Sequence, residues 1–114
     1  LQSPRMAIPD NTRRLLSARL DIHRQHRWPT LSELSLRFHG NFVYLTTTDL
    51  TGDPMPLCRL TYRKNTEYWG FAIYLASNDK YEKSILPNGR PAGTPEQALD
   101  CACGLYLNDL TAWT

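Results

Sequence analysis

A chain of 114 residues is long enough to bury one core and too short for two. Its 41% hydrophobic content, with three Trp and six Tyr, excludes a disordered segment. No apolar run approaches the roughly 20 residues of a bilayer-spanning helix, and residues 1–9 lack the charged-then-apolar order of a signal peptide. The net charge of +2 hides an asymmetry: up to Arg27, six Arg against two Asp give +4, and the remaining seven basic and nine acidic residues give −2.

The first predicted element is a helix over residues 10–28, capped by Asp10 or Asn11 and stopped before Pro29. Its apolar positions are Leu15, Leu16, Ala18, Leu20 and Ile22. Leu16, Leu20 and His23 keep helical spacing, while Arg13, Arg24 and Arg27 fall largely off that stripe, so the helix docks by one face. Segments of period two follow, separated by turn chemistry. Leu34, Leu36 and Phe38 alternate with polar residues, and His39-Gly40-Asn41 turns the chain into a strand over 42–48. Thr51-Gly52-Asp53-Pro54 is the next turn, and Pro54 and Pro56 bar earlier entry into a central strand, predicted over 57–63. After Lys64-Asn65-Thr66-Glu67 comes the most apolar strand, 68–76, with Trp69, Phe71, Ile73 and Leu75 on one face. A short fifth strand over 81–86 and a loop over 87–91 lead to the last element.

That element has the clearest local signature in the chain. Thr94 is a helix N-cap, Pro95 takes the first helical position, and Gln97 completes a capping box. The helix opens on small residues, Ala98, Cys101, Ala102, Cys103 and Gly104, and closes on Leu105, Tyr106 and Leu107, so its first turns suit close approach to a sheet. The expected fold is α+β: an N-terminal helix, an antiparallel meander of about five strands, and a C-terminal helix packed on one sheet face. It forms a single domain over 1–114, with residues 1–9 and 110–114 as flexible ends. Trp69, Phe71, Ile73 and Leu75 are expected to bury against Ala98, Leu99, Ala102 and Leu105 or Tyr106. Regular alternation gives the opposite face Arg59, Thr61, Arg63, Tyr68, Gly70, Ala72 and Tyr74, to be met by the first helix, a partner or nucleic acid.

Catalytic patterns are sparse. His23 and His26 lie three apart on a helix, but no carboxylate or Cys at recognisable spacing completes a metal set. Cys101 and Cys103, two apart on a helix, point about 200° away from each other and make neither a disulfide nor a metal pair. Cys58 sits mid-strand as a buried thiol, so the chain reads as reduced and cytoplasmic. There is no nucleophile elbow, phosphate loop or dinucleotide fingerprint. No enzyme, cofactor or metal is expected.

Two binding readings stand. Ten of the thirteen basic residues are Arg, the side chain suited to bidentate contact with phosphate or carboxylate. Arg13, Arg14, Arg24, Arg59 and Arg63, with Tyr68 and Tyr74 to stack, form a candidate surface for weak nucleic-acid binding without sequence preference. The alternative is a homodimer or an antitoxin-like partner received on a Tyr-rich face. A charge run of this kind is ordinarily a solvated face paired with acids of the same chain.

From Tyr62 to Leu107 the sequence resembles two families. Trp69-Gly70-Phe71-Ala72-Ile73 followed by Thr94-Pro95-Glu96-Gln97-Ala98 resembles the ethylene-response-factor DNA-binding domain and its relatives in mobile-element integrases. That likeness implies a three-stranded sheet laid in the DNA major groove by Arg and Trp. The same helix start, ending in Leu105-Tyr106-Leu107, is similar to Hic-type antitoxins, which implies a partner protein. The basic cluster of the first family is reduced here to Arg59, Arg63 and Lys64, with Asp79 and Glu82 nearby. The whole chain resembles small actinobacterial proteins, a likeness that carries no activity.

Overall fold

The structure, a computed structural model, describes residues 8–29, 31, 33–48, 51–75, 80–83 and 92–106. Helix α1 (Asp10–Arg27) is followed by β1 (Ser35–His39), β2 (Phe42–Thr48), β3 (Pro54–Thr61), β4 (Trp69–Leu75), β5 (Lys80–Lys83), β6 (Ala92–Gly93) and α2 (Pro95–Tyr106). The strands form one antiparallel sheet in the order β1-β2-β3-β4-β5, and β6 pairs with Trp69 and Gly70 of β4, end to end with β5 along the same edge. This is the expected α+β meander with a terminal helix on one face. The expected loop over 87–91 and the ends at 1–7 and 110–114 lie outside the described residues.

Local chemistry explains most element boundaries. Gly40, at φ 61°, supplies the left-handed backbone that closes the two-residue hairpin between His39 and Phe42. The capping box forms as read: Gln97 N donates to Thr94 Oγ1 at 3.1 Å, and Thr94 N donates to Gln97 Oε1 at 3.0 Å. Helix α1 differs, because Pro9 holds its N-cap position with no side-chain cap bond and Asp10 is its first helical residue. There its carboxylate still meets the positive end of the helix dipole.

Two strand readings need correction. Strand β3 starts at Pro54, not at residue 57, and pairs Pro54 with Thr48 and Pro56 with Thr46 across a bulge between Leu45 and Thr46. Among the described residues β4 pairs with β3 from Cys58 to Thr61, so the first half of β3 has a described partner strand on one side alone, the edge setting in which prolines are tolerated. The two-residue β6 has too little pattern to be read from sequence.

The core forms on one side of the sheet. Val43, Leu45, Cys58, Leu60, Phe71 and Ile73 occupy paired positions across β2, β3 and β4, and all are buried with Trp69. Leu16 and Leu20 of α1 and Ala98, Leu99, Cys101, Ala102 and Cys103 of α2 belong to the same cluster. Both helices therefore cover one face. Leu75 is only half-buried at the strand end, whereas Ile8, inside the expected flexible lead, is 2% exposed and part of the core.

Arg19 joins three elements at the rim of this core. Its guanidinium donates to both Glu96 oxygens at 2.9 and 2.7 Å, and to Glu67 Oε2 at 3.1 Å and the Thr66 carbonyl at 3.2 Å. Burial works against the Glu96 charge, but the hydrogen bonds from Arg19 and the backbone outweigh it and hold its carboxyl below the usual range. A carboxyl lowered by folding contributes stability that is present above its unfolded pKa, about 4.3, and is lost as pH falls through the folded value. We expect Glu96→Gln to cost about 1 kcal/mol at neutral pH, because about a quarter of this pair's side-chain surface stays in water. The gap to the parent should narrow progressively in urea melts as pH falls below the unfolded value of about 4.3; a gap constant with pH would show that the charge is not what stabilises.

Candidate functional site

The face of the sheet away from both helices carries the cations and rings. In one cross-strand row, Arg37 of β1 is opposite Tyr44 of β2, which is opposite Arg59 of β3, then Ala72 of β4. The neighbouring row runs His39, Phe42, Thr61 and Gly70, and Tyr74 pairs with Tyr81. Period-two alternation places these residues here, because their neighbours fill the core.

Their side chains form a connected cluster. The Arg37 guanidinium lies 4.3 Å over the Tyr44 ring, and that of Arg59 lies 4.5 Å from the Phe42 ring and 5.9 Å from Tyr81. Tyr81 meets both Tyr44 and Tyr74 edge-on at 5.2 Å. The small Ala72 leaves room for Tyr81 to lean inward over Arg59. Neither Arg37 nor Arg59 is ion-paired within the described residues, and the buried Arg59 Nε has no hydrogen-bond partner there. Cation–ring contact supports a charge in place of a counter-ion. Arg63 joins the same face by another route. A side chain at Gly70 would begin 3.1 Å from an Arg63 terminal nitrogen, so the glycine leaves the space this guanidinium occupies.

The helix arginines lie on the other side of the sheet. Arg13 donates to the Ile8 carbonyl at 3.0 Å and rests over Phe38, a ring packed on the core. Arg24 donates to the Leu31 carbonyl at 2.6 Å and pairs with Asp21. Arg14 is exposed and bonds Asn11, and Tyr68, 48% exposed, precedes β4. Of the residues singled out by sequence, Arg59, Arg63 and Tyr74 thus share a face with each other and not with Arg13 or Arg24. Sequence reasoning passed over Arg37, Phe42, Tyr44 and Tyr81. The alternation of β1 and β2 contained the signal for the first three, and Tyr81 needed the register with Tyr74.

Two other clusters have chemistry in principle. His23 Nε2 and the Trp28 indole N–H both bond Asp100 Oδ1, at 2.7 and 2.8 Å, tying the end of α1 to α2. A His–Asp pair is the orienting half of a nucleophilic triad, yet among the described residues no hydroxyl or thiol bonds His23. Burial and the Asp100 charge push the thiols of Cys101 and Cys103 up to about 11 and about 12, and burial also raises Cys58. Thiols held protonated are poor nucleophiles. The native protein should therefore resist a thiol reagent at mild alkaline pH and release three equivalents on denaturation; fast native labelling would contradict this packing.

No family model, curated protein or solved structure matches this chain.

Proposed function

We propose that this domain is a non-catalytic nucleic-acid-binding module, weak and without sequence preference, that uses the sheet face away from both helices to take single strands. The observation that carries the reading is the row Arg37–Tyr44–Arg59, in which two arginines without acidic partners among the described residues flank and stack on aromatic rings. Adjacent strands are about 4.8 Å apart, so the two cations recur every second strand at about 10 Å with a ring between them. A polymer alternating phosphate and base meets charge and stacking surface in turn. Trp69, the face residue type that the ethylene-response-factor likeness would set against duplex, is 1% exposed on the helix side, which favours single strands. Arg13, Arg19 and Arg24 of the helix act on this reading as structural groups.

Fluorescence anisotropy with a labelled oligouridylate and with blunt duplex tests the reading. Micromolar affinity for the single strand at low salt, weakening steeply as salt rises, is expected. No shift at low salt and tens of micromolar protein would reject it. The second reading, a protein-interaction module on the same face, is favoured by the Tyr44–Tyr81–Tyr74 contacts, since Tyr is enriched at protein interfaces.

A further inference from the structure

Helix α1 buries Thr12, Leu16 and Leu20, and the opposite side of such a helix is ordinarily polar. Here that side holds Leu15, 61% exposed, and Ile22, 56% exposed, with the exposed Ala18 between them. Asn11, Leu15, Ala18, Ile22 and Gln25 are spaced four, three, four and three residues apart, the repeat of a coiled-coil seam. The flank of this seam carries Arg14, which donates to Asn11, and, one heptad later, Asp21, which accepts from Arg24 and Gln25 of its own helix while 54% of its side chain stays exposed. The other flank carries Arg19, already held by Glu96 and Glu67.

These positions choose an occupant and an orientation. In an antiparallel pair of α1 helices, residues of the Arg14–Asp21 flank face the same flank of the other copy. The two-fold axis then sets Arg14 beside Asp21 of the second copy, twice. Leu15 meets Ala18 of the second copy, large against small, and Ile22 covers Asn11. A parallel pair would instead bring Arg14 toward Arg19 of its neighbour, like charge on like. We propose that the outer face of α1 is a homodimer surface, closed antiparallel by a second copy of this chain. An 18-residue helix offers less than the roughly 800 Å² per partner of a standard interface, so the dimer is a weak, concentration-dependent one. It leaves the Arg37–Arg59 face of each sheet outward.

Sedimentation equilibrium from about 10 to about 500 µM, with no nucleic acid present, tests the surface. The weight-average mass is expected to rise from 13.1 kDa toward twice that value. Arg14→Asp and Asp21→Arg each create two like-charge contacts and should stay monomeric alone. Mixed together, the two variants should recover the dimer, as should the double variant. Leu15→Gln with Ile22→Gln should stay monomeric with an unchanged circular dichroism spectrum, since neither side chain belongs to the core. A parent that is monomeric throughout, or single charge variants that dimerise like the parent, would overturn the proposal. Failure of the mixture would overturn the antiparallel pairing. None of these outcomes depends on whether the sheet face binds nucleic acid.

Discussion

Replacing Trp69 with alanine is expected to cost about 3–5 kcal/mol, a large share of the 5–15 kcal/mol that holds an ordinary domain together. The indole is 1% exposed, packs 5.4 Å from the Tyr62 ring, and donates its N–H to the Thr66 carbonyl at 3.1 Å. It sits where β4 begins, beside Thr12 and Leu16 of α1 and the turn that holds Glu67 against Arg19. Removing it opens a cavity between sheet and helix and frees the carbonyl that also accepts from Arg19. Trp69→Phe keeps most of the apolar volume and loses the hydrogen bond, so it should cost distinctly less. Urea midpoints for the two variants measure the difference. A Trp69→Ala protein that unfolds with the parent would show that the indole is not the link between the sheet and α1.

The second large effect belongs to the sheet face away from the helices. Arg37→Ala combined with Arg59→Gln removes both stacked cations, and the glutamine keeps most of the stem beneath Tyr81. On single strands each phosphate neutralised contributes about 0.7 to the slope of log affinity against log salt, so the double variant should lose about 1.4 of slope. Tyr44→Ala should weaken binding without changing the slope, because stacking on a ring is worth about 1–3 kcal/mol per base and releases no counter-ion. Arg13→Ala, on the other side of the sheet, should leave both quantities as they are. An unchanged slope in the double variant, with the fold intact by circular dichroism, would remove the sheet face from the binding reading. These measurements separate phosphate contact from stacking on one surface.

Much of the fold was legible because its determinants are local. The Thr94–Gln97 capping box, the Gly40 turn and the alternation through Trp69, Phe71 and Ile73 each act within a few residues, and each appears where the pattern placed it. The prolines of β3 misled because their tolerance depends on whether a further strand lies alongside, and among the described residues β4 pairs with β3 from Cys58 onward. The candidate site was half legible. Alternation assigned Arg59 and Tyr74 to one face, but charge density alone drew Arg13, Arg14 and Arg24 into the same surface.

Local chemistry thus determined the two helices, the meander and the faces of its strands, since capping, turn formation and period-two burial need only near neighbours. Which side of the sheet α1 would cover was decided by the assembled core, where Leu16 and Leu20 join the same cluster as Leu99 and Ala102. That choice commits Arg19 to Glu96 and Arg13 to the Ile8 carbonyl. It leaves Arg37 and Arg59 on aromatic rings, away from the helices. Burial of apolar area is non-directional and long-range in sequence, so the side it selects is a property of the whole packed chain.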